Sequence, residues 1–139
     1  MVTDYGKSRQ ECLWKAYKEA LKRPEIRSHE DAVRAAMNSP SPRFWISTKE
    51  AARQIARLER GQNTTYRINS CKQEIIKEVY KRYLRLKRGF LKGSSIYMIT
   101  SFAVMSEAPK MYISYNRARI IISSIRNAGR SGHEKCIAP

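Results

Sequence analysis

Positively charged side chains recur along one face of a predicted helix in the second half of the chain. These residues, called the basic ridge below, are Lys77, Lys81, Arg85, Arg88 and Lys92. Their spacing of i, i+4, i+8, i+11 and i+15 puts them on one helical face, and few acids follow Glu78. Cations spaced in this way can follow a phosphate backbone. The ridge predicts phosphate contacts, and its alternative interpretation is a solvated helix face.

A second set of cations, the basic stripe, lies on another predicted helix. It consists of Lys49, Arg53, Arg57 and Arg60, spaced i, i+4, i+8 and i+11. Phosphate contacts position a protein on nucleic acid without reading its sequence, so exposed aromatic rings are the candidates for base contact or stacking. The rings in question are Trp45, Tyr112 and Tyr115, although aromatic side chains more often pack in a core.

No pattern of catalytic or metal-binding residues stands out. Glu74 and Glu78 share a helix face, as a nuclease would require, but such pairs on surface helices usually face solvent. A Gly-rich phosphate loop and a Ser/His/Asp order are both missing from the sequence. His133 and Cys136 form an isolated H-x-x-C without the further ligands of a metal site. We therefore expect a non-enzyme without cofactor or metal.

The charge of the chain indicates an anionic partner. Lys and Arg number 28 against 12 Asp and Glu, a net charge of +16; residues 1–69 carry +6 and residues 70–139 carry +10. Nucleic acid is the commonest partner of such an excess, and a solubility role, an anionic membrane or an acidic protein are the alternatives. The sequence has neither an apolar run long enough for a membrane span nor a secretory signal. Cys12 and Cys71 fall in or beside apolar helical patterns, as reduced thiols of a cytosolic protein do.

Two blocks of the chain recur in the same order, which predicts an internal duplication. SPRFWISTKEAARQIARL, from Ser41, aligns with APKMYISYNRARIIISSI, from Ala108, at an offset of 67. Upstream, the pattern around Leu13 and Tyr17 aligns with that around Ile76 and Tyr80 at an offset of 63. The difference of four residues predicts a short insertion around residues 88–95.

The expected fold is all-α, with two pseudo-symmetric three-helix repeats packed as one compact domain and a short extended joint before the third helix of each repeat. The predicted helices span residues 9–23, 29–38 and 48–60 in the first repeat and residues 71–90, 95–106 and 115–127 in the second. The β-branched residues of segment 95–106 would also suit a strand. The predicted organisation is repeat 1 at 1–61, a linker at 62–69, repeat 2 at 70–127 and a flexible tail at 128–139.

Local signals define where several of these helices begin. Ser28, Ser47 and Ser114 are placed as N-caps, while Ser8 with Glu11 and Ser70 with Gln73 fit capping boxes. Ile46 and Ile113 precede a cap, and each has an alanine five residues later that would complete a hydrophobic staple. The joints, residues 43–46 and 110–113, are predicted to be extended. Alternation would then send Phe44 and Ile46 to one side and Arg43 and Trp45 to the other.

A helix-turn-helix is the alternative for the segment that contains the basic stripe. Such a motif joins its helices by a turn of about three or four residues, whereas residues 39–47 here include two prolines. Moreover, the second copy replaces the four cations of the basic stripe by Asn116, Ile120, Ser124 and Asn127. Both copies therefore retain the residues of the joint, but only the first copy has the basic stripe. This difference favours a structural joint over a helix-turn-helix.

The repeated P-R-F-W-I-S-x-x-x-A and P-K-M-Y-I-S-x-x-x-A patterns resemble small duplicated proteins of gut Bacteroidetes and of their phages or mobile elements. The resemblance covers residues 8–127 and implies a cytoplasmic or virion location. The sequence as a whole predicts a non-catalytic nucleic-acid-binding protein without membrane association, with DNA favoured over RNA. A phage or assembly structural protein, a homo-oligomer and a helix-turn-helix regulator remain alternatives.

Overall fold

Helices account for all the regular secondary structure of the described chain. The computed structural model describes residues 3–66 and 70–137, with side chains placed from Gly6 to Tyr66 and from Cys71 to Ala128. The helices are α1 (Thr3–Leu21), α2 (His29–Met37), α3 (Thr48–Glu59), α4 (Ser70–Arg88), α5 (Ile96–Val104) and α6 (Tyr115–Ile137). Within these ranges no strand is present, and an isolated bridge joins Ser41 to Ala108. The all-α prediction is confirmed.

The six helices divide between two compact units. In unit 1, α1 and α2 contact each other and both contact α6; in unit 2, α3, α4 and α5 contact one another in the same way. Unit 2 is the continuous segment Pro40–Tyr112, and unit 1 combines Thr3–Ser39 with the chain from Ile113 onward. The third helix of each predicted repeat therefore packs with the first two helices of the other. The duplication itself stays a prediction.

Apolar residues at helical spacing form the interior of each unit, as the periodicity predicted. Leu13, Tyr17 and Ala20 of α1 are buried in unit 1. The core of unit 2 is larger and contains Phe44, Ile46, Ala51, Ile55, Ile75, Ile76, Val79, Tyr83, Ile99, Ala103, Val104 and Ala108. Full burial of one such aliphatic side chain contributes about 1.5–3 kcal/mol, so this cluster is the main source of the stability of unit 2.

Three of the predicted N-cap serines are confirmed, and a helix begins directly after each of them. The hydroxyls of Ser28, Ser47 and Ser114 accept hydrogen bonds from the backbone N–H groups three residues later, at 3.1, 3.1 and 3.2 Å. The prediction at Ser8 is wrong, because α1 begins at Thr3 and Ser8 lies inside it. The predicted cap at Ser70 concerns a side chain outside the described residues. α6 continues to Ile137, beyond its predicted end at residue 127.

Segment 95–106 forms a helix and not the alternative strand. The Ser95 hydroxyl accepts a hydrogen bond from the N–H of Met98 at 3.2 Å, which fixes the first turn of α5. Ile99, Thr100, Ala103 and Val104 are buried, at the i, i+1, i+4, i+5 spacing of one helical face. A local cap and a helical period together outweigh the β-propensity of the isoleucine and threonine.

The first joint is bent, so the predicted extended alternation is wrong there. Phe44, Trp45 and Ile46 are all buried, although alternation would place Trp45 opposite to the other two. The Arg43 side chain donates to the carbonyls of Phe44 at 2.9 Å and Ile46 at 2.8 Å. The N–H of Ile46 also donates to the Phe44 carbonyl at 3.0 Å. These bonds fold the segment over Arg43 and turn three consecutive side chains inward.

Candidate nucleic-acid interface

A short segment after α3, residues 61–66, runs back along that helix and is called the strap below. Its contacts move toward the start of α3 as the strap proceeds. Arg57 Nε donates to the Asn63 carbonyl at 2.8 Å, the Gln54 amide exchanges two hydrogen bonds with Thr65 at 2.7 and 2.9 Å, and the Tyr66 hydroxyl donates to Glu50. Gln54 is fully buried, and both ends of its amide are satisfied. The strap is therefore held by specific side chains of α3.

The strap, α3 and α4 enclose an open cleft of about 840 Å³ in unit 2. Its polar and charged lining consists of Arg57, Asn63, Thr64, Thr65, Tyr66, Gln73 and Lys77, and its apolar lining of Leu58 and Ile76. Arg57 belongs to the basic stripe, and Lys77 is the first residue of the basic ridge. The tertiary structure thus brings one residue of each predicted basic set to the lining of the same cleft.

The lining of the cleft is positively charged, because its charged residues are Arg57 and Lys77, and Glu50 beside the strap is held in hydrogen bonds. Glu50 accepts from Tyr66, from Arg53 at 2.5 Å and from Gln54 at 3.4 Å. Burial opposes ionisation of this carboxyl, but the Tyr66 hydrogen bond and the charge of Arg53 lower its pKa overall. Lys72 lies with its ammonium 5.3 Å from the Tyr66 ring centroid, adding a further cation beside the strap.

The basic ridge lies on the exposed side of α4 and continues into the turn after it. All five of its side chains are exposed. Lys81 lies 3.9 Å from Glu78, and Arg88 Nε donates to the Leu84 carbonyl at 3.3 Å. Over residues 6–66 and 71–128, no carboxylate lies within ion-pair distance of Lys77, Arg85 or Lys92. The ridge therefore keeps most of its charge available to an anion.

The four residues of the basic stripe have different surroundings. Arg53 pairs with Glu50, and Arg57 is held by the strap. Lys49 lies beside Arg53 in a smaller recess near the start of α3. Arg60 is the exposed C-cap residue of α3, where its backbone N–H bonds to the carbonyls of the last turn. Of the stripe, Arg57 is the residue that lines the same cleft as the ridge.

The stacking candidates are less accessible than the sequence predicted. Trp45 is buried, with 6% of its surface exposed, so its predicted exposure is wrong. Tyr112 is half-buried and stacks on Phe44 with ring centroids 5.9 Å apart, and burial raises the pKa of its hydroxyl. Tyr115 has the Arg34 guanidinium 4.4 Å from its ring centroid, which occupies one face of the ring. Stacking on a base would need a ring face that Trp45 does not present.

A carboxylate near the end of α3 ties that helix to α4. Glu59 accepts hydrogen bonds from Lys87 at 2.6 Å, from the Tyr80 hydroxyl at 2.8 Å and from the Tyr83 hydroxyl at 3.3 Å. The bond from Lys87 is the main reason that the pKa of Glu59 lies below its usual range, and the Tyr80 bond adds to it. This cluster links the two helices that carry the basic sets.

The Glu74 and Glu78 carboxylates, the predicted pair for a nuclease, are both in ion pairs. Glu74 lies 3.1 Å from Lys110, and Glu78 lies 3.5 Å from Arg82. The part of the chain that the structure describes contains no group of three residues able to hold a metal ion, and none of its helices could span a membrane. His133 and Cys136 lie outside the described side chains.

The two cysteines with described side chains are poor nucleophiles. Cys12 and Cys71 are half-buried, and burial is the main reason that the pKa of each thiol is raised, so both stay protonated near neutral pH. The residues that the sequence interpretation missed are the polar ones of the strap. GQNTTYRIN was predicted as a linker, and the only signal for a site was its run of short hydrogen-bonding side chains beside Arg57.

No protein-family model matches this chain, and no curated protein or solved structure shows significant similarity to it. An interpretation of its function therefore depends on the residues and geometry described above.

Proposed function

We propose that this protein is a non-catalytic nucleic-acid-binding protein, with DNA favoured over RNA, that holds phosphate groups at the basic cleft and along the basic ridge. The observation that carries this proposal is the cleft in which Arg57 and Lys77 meet. These two residues come from separate predicted sets of cations on two helices, and both line the same cleft.

The chemistry of the cleft suits a phosphate backbone. Arginine and lysine supply the charge, and the side chains of Asn63, Thr64 and Thr65 offer neutral hydrogen bonds of the kind that proteins use with phosphate and sugar. The Lys77, Lys81, Arg85 and Arg88 side chains extend the charge along α4. A polyanion bound there would release counterions, so its affinity would fall steeply with salt.

A helix-turn-helix regulator is less well supported. Its two helices would be α2 and α3, but α2 belongs to unit 1 and α3 to unit 2. The connecting residues 38–47 also form the bent joint, whereas the motif uses a turn of about three or four residues. Moreover, Arg53 of the supposed recognition helix is in an ion pair with Glu50 within the protein. We therefore propose phosphate binding without a recognition helix.

The proposal is tested by titrating the full chain into labelled duplex DNA of about 20 base pairs with random sequence, at salt concentrations from about 50 to 200 mM. We expect the double variant Arg57→Gln/Lys77→Gln to bind at least about tenfold more weakly and its salt slope to decrease by about 2. The same titration with single-stranded DNA and with RNA of equal length tests the preference for DNA.

The matched control is Lys22→Gln/Arg23→Gln, which removes one lysine and one arginine from the exposed turn after α1. It loses the same charge, and we expect a much smaller effect on affinity. Far-UV circular dichroism checks that both variants fold. Undetectable binding of the wild type at about 50 mM salt, or equal losses in the two variants, would contradict the proposal.

We also propose that the fold consists of two duplicated three-helix repeats, as the sequence predicted. Supporting features are that α2 and α5 begin after Ser28 and Ser95, and α3 and α6 after Ser47 and Ser114, each pair separated by 67 residues. The connections 22–28 and 89–95 have equal length, and α1 and α4 have 19 residues each. No four-residue insertion therefore lies in the segment 89–95, and at the sequence offset of 63 α4 begins and ends about one helical turn later than α1. One helical turn preserves the buried face.

A further inference from the structure

The outer face of α5, its C-cap residue and the turn after α4 carry large apolar side chains that no other described part of the chain covers. These residues, called the apolar face below, are Phe90, Tyr97, Met98, Phe102 and Met105. Met98, Phe102 and Met105 have the i, i+4, i+7 spacing of one helical face, and each of the five exposes 47% or more of its surface. Contiguous exposed apolar surface on a protein of this size marks an interaction site.

Phe90 extends this surface beyond the helix. It lies in the turn after α4 and is 81% exposed, yet its ring meets Phe102 edge to face with centroids 6.2 Å apart. Aromatic pairs of this geometry are favourable, so the turn and the helix present their rings together. Phe90 is thereby joined to the exposed apolar residues of α5 through its contact with Phe102.

The fold does not require this surface. α5 already buries Ile99, Ala103 and Val104 on its opposite side. The helix of equal length in unit 1, α2, also buries one side, but it exposes Glu30 and Arg34, which form an ion pair of 3.1 Å. A nine-residue helix in this protein can therefore present charged residues to solvent on its outer side. The exposed apolar residues of α5 need another explanation.

The apolar face borders a groove with a cationic rim. Arg82, Arg85, Leu86, Phe102 and Ser106 line a recess of about 350 Å³ between α4 and α5. Arg82 donates to the Ser106 hydroxyl at 3.0 Å and to the Glu107 carbonyl, and it lies 3.5 Å from Glu78. Arg85 and Lys92 have no carboxylate within ion-pair distance among the described side chains.

We propose that the apolar face and this groove bind an amphipathic helix of another protein, whose apolar stripe is bordered by Asp or Glu. The apolar side chains of such a helix would contact Phe102 and Met105, and methionine-rich surfaces adapt readily to such ligands. Its carboxylates would face Arg85 and Lys92. This inference goes beyond nucleic-acid binding. Its apolar residues play no part in the proposed phosphate site, while Arg85 and Lys92 belong to the basic ridge as well.

Two other occupants fit these observations less well. A bilayer surface is flat on this scale and would leave the recess beside Phe102 unfilled, whereas a projecting side chain of a helix would fill it. In a symmetric contact, a second copy of the chain would bring Arg85 and Lys92 toward their own counterparts on a protein of net charge +16. An acidic helix satisfies both the shape and the charge.

The test is a selection from displayed helical peptides of about five turns. Leu and Phe occupy positions i, i+3, i+4 and i+7, and the flanking positions vary among Glu, Lys and Ser. The full-length protein is the bait, and the variant Phe102→Ser/Met105→Ser is the counter-selection bait. We expect Glu-flanked sequences to be enriched on the wild type. A selected peptide should bind the variant at least about tenfold more weakly, as for loss of a central anchor.

The matched control is Ile120→Ser, since Ile120 of α6 is 51% exposed outside the apolar face; it should leave peptide affinity unchanged. The proposal would be overturned by no enrichment over the counter-selection bait, or by enrichment of Lys-flanked peptides. Two further results would overturn it. The double variant could lose binding to phosphatidylserine vesicles while it keeps peptide binding, or it could lose a dimer seen by sedimentation while it keeps peptide binding. Duplex DNA affinity should persist in Phe102→Ser/Met105→Ser, which separates this proposal from the nucleic-acid one.

Discussion

Unit 1 and unit 2 each contain three helices, two of which begin at a serine N-cap, but their described surfaces differ. In unit 1, α2 exposes the Glu30–Arg34 ion pair. In unit 2, the corresponding α5 exposes Phe102 and Met105, and the Arg57–Lys77 cleft lies between α3 and α4. Features common to both units, such as caps and buried stripes, are those that folding requires. Features of unit 2 alone are the better candidates for binding.

The largest expected effect comes from buried residues that the two units have at aligned positions. Leu13→Ala in α1 and Ile76→Ala in α4 each remove a fully buried side chain from aligned positions, and each should cost about 2–5 kcal/mol of unfolding free energy. Urea denaturation followed by circular dichroism measures this loss. Leu21→Ala, at a half-exposed position, should change stability by less than about 0.5 kcal/mol. A cost below about 1 kcal/mol for one member of the pair would break the proposed equivalence.

A smaller effect is expected at the strap, which belongs to unit 2. Gln54→Ala removes both hydrogen bonds to Thr65, each worth about 0.5–1.5 kcal/mol, so it should cost about 1–3 kcal/mol. Because the strap lines the cleft, duplex DNA affinity should also fall. Gln62→Ala, at an exposed strap position, is the control for thermal denaturation and for binding. Unchanged stability of Gln54→Ala would mean that the strap is not held by this contact.

The smallest effect concerns the carboxylate that joins α3 to α4. Because Lys87 and Tyr80 lower the pKa of Glu59, its contribution is present above the carboxyl pKa of the unfolded chain and is lost as pH falls through the folded value. Glu59→Gln should therefore cost about 1 kcal/mol near neutral pH and progressively less below about pH 4. Urea midpoints across this pH range measure the difference.

The control for Glu59→Gln is Glu19→Gln on α1. Glu19 is exposed and lies 3.5 Å from Lys22 at the end of that helix, so removal of its charge should have little effect at any pH. If the two variants lost the same stability, or if the cost of Glu59→Gln grew on acidification, the Lys87–Glu59 cluster would not stabilise unit 2 as described.

Much of this protein is determined by its sequence alone. The all-α class, the caps at Ser28, Ser47 and Ser114 and the buried stripes around Leu13 and Ile76 follow from interactions between residues a few positions apart. Net charge and the cations of the ridge are likewise visible without a structure. Such local signals are strong because each helix largely satisfies its own backbone.

Which helices pack against one another is determined only by the tertiary structure. Nothing in the local pattern indicates that α3 packs with α4 and α5, because partner choice depends on contacts between residues far apart in the chain. The burial of Trp45 depends on the bend at Arg43, and the cleft depends on the return of the strap along α3. Arg57 and Lys77, 20 residues apart in sequence, line one surface only because those long-range contacts bring their helices together.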